Sequence, residues 1–249
     1  MLPCISIGGE SNTSVNRMPK YAAIFATVCP DHTSHSNSEK IRTIQAYKTM
    51  KKLIVLVILI SPTWVSAYRP GEPTFFSKKL VEAAIERTNH IVRYDGAYRK
   101  IRYPDGDVPD DIGVCPDVVI RSYRKLGIDL QKDLHEDMKQ NFYLYPKLWR
   151  LSRPDTNIDH RRVPNLQTFF TRKGVVLPVT RNPDDYVAGD IVTWMLPGNL
   201  AHIGIVIDMR SEDGNMPLIV HNIGSGPVIE DILFAYQITG HYRYHGKPD

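Results

Sequence analysis

Apolar positions change their spacing along this chain. From Phe76 to Val92 they recur near helical intervals, with Leu80, Ala83, Ala84 and Ile91 in step, and this predicts an amphipathic helix. Between Tyr94 and Asp110 Gly, Pro and Asp crowd together, the composition of a loop. A second helix is predicted over Val118 to Leu126. Cys115-Pro116-Asp117 opens it and Gly127 ends it; Pro suits the first helical position and Gly the position just past the last. Cys115 therefore falls at the N-cap. Residues 131–150 read as an amphipathic helix with a Tyr-rich end at Phe142, Tyr143 and Tyr145, and Asn165 to Arg172 as a short helix after Pro164. The pattern then becomes strand-like. Asp190–Met195, His202–Ile207 and Leu218–His221 are apolar runs bounded by Gly, Pro, Asn and Asp, and Tyr242-Arg243-Tyr244 reads as a last strand. Helices first and strands later predict an α+β fold with an antiparallel sheet.

One apolar run stands apart. Met50-Lys51-Lys52 precedes eight apolar residues, Leu53 to Ile60, and the stretch ends in Val65-Ser66-Ala67. A charged start, a short apolar run and a small-x-small ending form a secretory signal peptide. The run is short of the roughly 20 apolar residues that span a bilayer. Residues 1–49 are expected to be a disordered, non-native extension ahead of a true start at Met50. Residues 68–249 are expected to form a single domain, exported to the periplasm or beyond and without a membrane span. This changes the cysteine count that matters. Cys4 and Cys29 lie before the signal, so the exported part keeps Cys115 alone. A lone thiol in an oxidising compartment is either a buried, inert side chain or a working one.

Charge narrows the function classes. The first 67 residues carry seven Lys and Arg against three Asp and Glu, which accounts for the whole net charge of +4. The remainder is balanced, so nucleic-acid binding loses its simplest support. At 42% hydrophobic and 23% charged residues, the chain of 249 residues has a globular composition.

Cys115, His202 and His221 are the candidate chemistry. A helix start lowers a thiol's pKa, so Cys115 is expected below the free value of about 8.5. A nucleophilic Cys needs a base, and the base an orienting partner. His202 begins one predicted strand and His221 ends the next, and antiparallel neighbours can bring such ends together. Asn222 competes with His221 as the orienter. A metal site from His160, His202 and His221 lacks a carboxylate at recognisable spacing, so neither metal nor cofactor is expected.

These residues resemble a known family. Cys115-Pro116-Asp117-Val118-Val119-Ile120-Arg121-Ser122-Tyr123 is similar to the nucleophile helix of NlpC-type papain-like cysteine peptidases. Ala188-Gly189-Asp190-Ile191-Val192 resembles their Gly-Asp strand, His202-Ile203-Gly204-Ile205-Val206 the strand bearing the base, and Ile219-Val220-His221 the strand bearing the third polar residue. With Asn157-Ile158-Asp159-His160-Arg161-Arg162-Val163-Pro164, the stretch 76–245 resembles a bacterial exported family of unknown function, of the DUF1287 type, related to those peptidases. The resemblance implies a papain-like core with Cys115 as nucleophile, His202 as general base and acid, and His221 as orienter. It implies cleavage of an amide or peptide bond in peptidoglycan stem peptides through a thioester. It also implies an active-site tyrosine upstream of the Cys: Tyr103, with Tyr98 competing.

The chain departs from the family pattern. Where the peptidases usually read Asp-Cys-Ser-Gly, this chain reads Val114-Cys115-Pro116-Asp117, and Pro116 has no N–H to offer an oxyanion. The segment 131–186 exceeds a minimal core and reads as an insertion forming a lid or cleft wall, bearing Tyr143, Tyr145, Trp149, Arg161 and Arg162. In the binding reading, Asp159 and Arg161 border the substrate and Arg161 or Arg162 grips a carboxylate. In the structural reading, Arg161 pairs with Asp159 or Asp155 and braces a loop. Two rival functions keep the same residues: an acyltransferase or transglutaminase-like enzyme with an amine acceptor, and a non-catalytic cell-wall binding module.

Overall fold

The structure, a computed structural model, describes residues 73–246. The extension, signal peptide and cleavage site proposed for residues 1–67 lie outside the described residues. Among the described residues, four α-helices precede or flank a sheet: α1 (Phe75–Arg87), α2 (Cys115–Lys125), α3 (Leu130–Asn141) and α4 (Val163–Lys173). A two-residue parallel bridge joins β1 (Arg93–Tyr94) to β2 (Ile112–Gly113). The main sheet comprises β3 (Val175–Val176), β4 (Ile191–Leu196), β5 (Leu200–Arg210), β6 (Pro217–His221), β7 (Val228–Glu230) and β8 (Gln237–Arg243). Its order is β3-β8-β4-β5-β6-β7 and every pairing is antiparallel. The fold is α+β with an antiparallel sheet.

Local chemistry sets the helix ends. Thr74 accepts the Ser77 N–H at the start of α1, and Asp129 accepts the Gln131 N–H at the start of α3. Pro116 and Pro164 sit in the first turns of α2 and α4, where a missing N–H costs nothing. Two helices are shorter than their patterns predict. α1 stops at Arg87 and leaves Ile91 exposed. The expected helix over 131–150 ends at Asn141, passes through a single 3-10 turn at Phe142–Leu144 and meets Pro146, which cannot continue a helix.

The sheet separates two cores by strand alternation. Ile191, Ile203, Ile205, Ile207 and Val220 pack against the helices through Leu80, Val119, Leu134, Leu166, Phe169 and Phe170. Val192, Trp194, Val206 and Ile219 pack on the other side with Tyr186, Ile232 and Leu233. Trp194 donates its indole N–H to the Leu233 carbonyl at 2.9 Å, which satisfies the one polar atom of that fully buried ring. The segment 131–186 contributes part of the core. Its Leu134, Met138, Tyr145, Leu166, Phe169 and Phe170 lie in the helical core with Tyr242 and Tyr244. Tyr145 is buried and donates to Asp137 at 2.8 Å, whereas Tyr143 is exposed.

The Gly-Asp pair preceding β4 is a structural knot. The fully buried Asp190 carboxylate lies 2.9 Å from His241 Nε2 and accepts from Arg243 Nε at 2.7 Å and the Val187 N–H at 3.0 Å. Gly189 takes φ +91°, and a Cβ there would meet the Ser77 Cβ at 2.8 Å. Position 189 therefore requires glycine both for its backbone angle and for the approach of α1.

Candidate active site

β5 and β6 bring His202 and His221 together. Both belong to the strand parity that faces Trp194 and Ile219, and His202 lies 5.8 Å from the Trp194 ring. His202 Nε2 is 3.2 Å from His221 Nδ1, with the rings at 90°. Gly204 makes the contact possible. A Cβ there would meet Ile219 Cγ2 at 2.7 Å and the His221 Cβ at 3.1 Å, so any side chain at 204 would push β6 away. The pair is withdrawn from water, His202 at 1% exposure and His221 at 0%. Burial, with His221 beside it, pulls the His202 imidazole down to about 3, and burial also holds His221 below the ordinary histidine range against the raising influence of Glu230. Both rings are therefore neutral at neutral pH. Asn222, the alternative orienter, turns its amide oxygen to the Gly224 N–H at 2.9 Å.

Cys115 reaches the same strand from the helical side. α2 begins at Cys115, and its thiol packs in the helical core with Ile203, the residue after His202. The Ile203 backbone N–H, the Tyr94 hydroxyl and the Cys115 backbone N–H lie near the sulfur and favour its thiolate form. The helix start is tied by Asp117, whose Oδ2 accepts the Val114 N–H at 2.6 Å. Sequence reasoning led to a lowered thiol pKa; the structure reverses that expectation. Burial pushes the Cys115 thiol up to about 12, and the nearby Asp117 carboxylate adds to the rise, against the lowering effect of the three donors. A helix start is acidifying only when its end is unscreened and the sulfur is solvated. Here a carboxylate occupies the end and the thiol is 4% exposed.

The tyrosine whose hydroxyl acts on the thiol is Tyr94. The β1–β2 bridge pairs Tyr94 with Gly113, two residues before Cys115. Burial and the Cys115 sulfur raise the Tyr94 hydroxyl to about 12, so it remains a donor across the physiological range. Tyr103 instead packs edge-on against His135 at 5.0 Å, and Tyr98 donates to Asp155 at 3.1 Å.

Asp159 and Arg161 are not arranged to hold a substrate. Arg161 Nε and Nη2 each donate to Asp117 at 2.9 Å; Nη2 also reaches the Asp95 carbonyl at 3.0 Å, and Nη1 the Ala97 carbonyl at 3.4 Å. The guanidinium is buried and committed on every side, so no fork is left for a carboxylate. Its partner is Asp117 and not Asp159 or Asp155. Asp159 is buried, accepts the Asp155 N–H at 2.6 Å and pairs with Arg162 at 2.9 Å. Arg162 lies 4.1 Å over the Trp149 ring. Among the described residues no three His, Cys, Asp or Glu side chains converge as a metal site would require, and no helix is long and apolar enough to cross a membrane.

The thiol's burial makes a measurable difference. In the native full-length chain, Cys115 alkylation by iodoacetamide should keep rising about tenfold per pH unit through the mildly alkaline range, without a plateau. Peptide-resolved mass spectrometry separates Cys115 from Cys4 and Cys29. A plateau near neutrality would show a preformed thiolate and refute the buried, neutral thiol.

Comparison with known proteins shows the family. A family model described as "Domain of unknown function (DUF1287)" matches residues 81–244. Uncharacterized protein YijF of Escherichia coli (strain K12) is 52% identical over 168 residues, covering 68% of this chain and 82% of that protein. Among solved structures, NlpC1 from Trichomonas vaginalis aligns with 72% of this chain and 48% of its own, about half its length, at 13% identity and a TM-score of 0.37. Helix α2, the histidine strands and the buried Asp159–Arg162 turn all fall inside the stretch the family model matches, and the chain belongs to the DUF1287 family.

Proposed function

We propose that this protein is a cysteine hydrolase that cleaves an amide or peptide bond through a thioester, with a papain-like arrangement of NlpC type. One observation carries the reading: two buried, neutral imidazoles 3.2 Å apart on adjoining strands, with a thiol packed in the same core as Ile203, the residue next to one of them. Burying two imidazoles is costly unless each is hydrogen-bonded. The order of the motifs, which resembles that of NlpC-type peptidases, supports assigning Cys115 as nucleophile, His202 as base and His221 as the group that orients the base.

The chemistry follows from neutral groups. In this reading the imidazole of His202 turns past Ile203 to the helical side and takes the Cys115 S–H proton as sulfur attacks the carbonyl carbon, so the thiolate forms only during attack. The Cys115 N–H and the Tyr94 hydroxyl lie near the sulfur, and in this proposal both donate to the developing oxyanion. Tyr94 thereby replaces the donor that Pro116 cannot supply. The intermediate collapses, the C–N bond breaks, and the leaving amine takes the proton from His202. Water then attacks the thioester, again with His202 as base, and releases the acid and the free thiol.

The substrate class in this proposal is the peptidoglycan stem peptide, reached after export. The signal-like stretch 50–67 and the family resemblance support this placement. Purified wall fragments incubated with the protein and analysed by mass spectrometry test it. Hydrolysed peptides are expected. Cys115→Ala and His202→Ala should lower the rate by at least about 10²-fold, the lower end of what a positioned base contributes. Peptides joined to an amine would identify a transferase, and unchanged fragments would reject a wall hydrolase. Equal turnover by wild type and His202→Ala would remove His202 from the mechanism.

A further inference from the structure

Glu230 lies beside the histidine pair, and no sequence motif singled it out. It stands on β7 opposite Ile219, while His221 pairs with Val228, so Glu230 is a diagonal neighbour of His221 on the same sheet face. Its Oε2 is 3.0 Å from His221 Nε2, a polar contact bent away from linear hydrogen-bond geometry. The two ends of this contact differ. The Glu230 side chain is half in water at 52% exposure, whereas His221 is fully enclosed.

We propose that Glu230 is a positioning residue: its carboxylate keeps the His221 proton on Nε2 and, through His221, fixes which nitrogen of His202 is free. A neutral imidazole has one donor and one acceptor nitrogen. With the proton on Nε2, facing the carboxylate, His221 Nδ1 is an acceptor. The ring nitrogen 3.2 Å away, His202 Nε2, must then donate. His202 Nδ1 is left with its lone pair, ready to take a proton. The opposite arrangement would set the His221 Nε2 lone pair against a carboxylate oxygen at 3.0 Å, two acceptors facing each other. Only one chain of tautomers avoids two acceptors facing each other at either contact, and an acidic side chain on a short edge strand selects it. The consequence for Cys115 rests on the hydrolase reading; the tautomer assignment does not.

Two-bond proton–nitrogen correlation spectra of the full-length protein, labelled on histidine, read the tautomers directly. His202→Gln and His221→Gln assign the two rings. At neutral pH both are expected protonated on Nε2. Glu230→Ala should shift a large share of His221 to the Nδ1 tautomer and His202 with it. Glu230→Gln should retain the wild-type pattern, because its amide oxygen accepts the same proton. Alkylation of Cys115 by iodoacetamide should fall about tenfold in Glu230→Ala, part of the roughly 10²–10⁴ that a positioned base provides, and recover in Glu230→Gln. An unchanged pattern in Glu230→Ala, or wild-type His221 protonated on Nδ1, would overturn the proposal. The expected tautomers together with a native Cys115 inert to the reagent and uncleaved wall fragments would reject the hydrolase and leave the Glu230 assignment standing.

Discussion

Replacing Arg161 by alanine should destabilise the domain by about 3–5 kcal/mol, the usual consequence of removing one partner from a buried ion pair. The magnitude follows from what remains. Asp117 is buried at the start of α2, and its carboxylate would lose both guanidinium hydrogen bonds while keeping its charge. The Asp95 and Ala97 carbonyls would lose donors at the same time. Those carbonyls follow Tyr94 directly in the chain, so Arg161 ties the tyrosine segment to the helix that carries Cys115. A second variant separates charge from packing. Arg161→Leu combined with Asp117→Asn leaves no unpaired charge and should recover part of the loss, although an amide oxygen in place of the Asp117 carboxylate would hold the Val114 N–H less strongly. Urea unfolding monitored by circular dichroism gives both values. A change below about 1 kcal/mol in Arg161→Ala would show that the pair is solvated and contributes as little as a surface ion pair.

That pairing also shows where sequence reasoning stops. Arg161 and Asp117 are 44 residues apart, and nothing in either segment announces the other. The choice between a clamp and a brace could be weighed from residue types, but the identity of the braced carboxylate required the fold. The helix start at Cys115 and the three central strands were legible, because Pro and Gly punctuate helices and continuous apolar runs mark buried strands. His202 and His221 were legible for the same reason, as polar residues at the ends of such runs. Tyr94 was not. It reaches the thiol through a two-residue parallel bridge, too short to leave a pattern. Glu230 was missed likewise, since β7 is three residues long and half exposed. Burial at the thiol was a different kind of omission. Sequence places Cys115 at a helix start but says nothing of the solvent there, and solvent decides the direction of the shift. The segment 131–186 carries a core signal in its spacing. Leu134 and Met138, then Leu166, Phe169 and Phe170, stand at core-facing intervals, and the structure buries all five.

Acid should weaken the fold well before its carboxylates titrate. His160 is buried, and burial, with the Arg161 and Arg124 guanidinium groups nearby, pulls its imidazole down to about 3. His202 is pulled to about 3 by burial and then by His221. In the unfolded chain both titrate near 6.5. Above that value neither state binds the protons, and the stability associated with the neutral rings is fully present. Between 6.5 and 3 the unfolded chain takes up a proton on each ring and the folded domain does not. Stability therefore falls as pH falls, by up to about 1.4 kcal/mol per pH unit for each ring. At about pH 4.5 the two rings together account for a loss on the order of 5 kcal/mol, comparable with the whole stability of many domains. His221, His135 and His245, also held down by burial, act in the same direction. Asp137 does not contribute in this window. Burial alone would raise its carboxyl, but Arg172, Tyr145 and Lys173 outweigh that and hold it to about 2, so its part is lost only below the ordinary carboxylate value. Asp159, raised by burial, opposes the trend as acid enters the carboxylate range. Urea midpoints at neutral pH, about pH 6 and about pH 4.5 should therefore decline steadily, and His160→Gln should remove close to half of the slope carried by the two rings. Midpoints that stay level over that range would mean that water reaches both imidazoles, and the neutral His202 on which the proposed thiol chemistry depends would have to be abandoned.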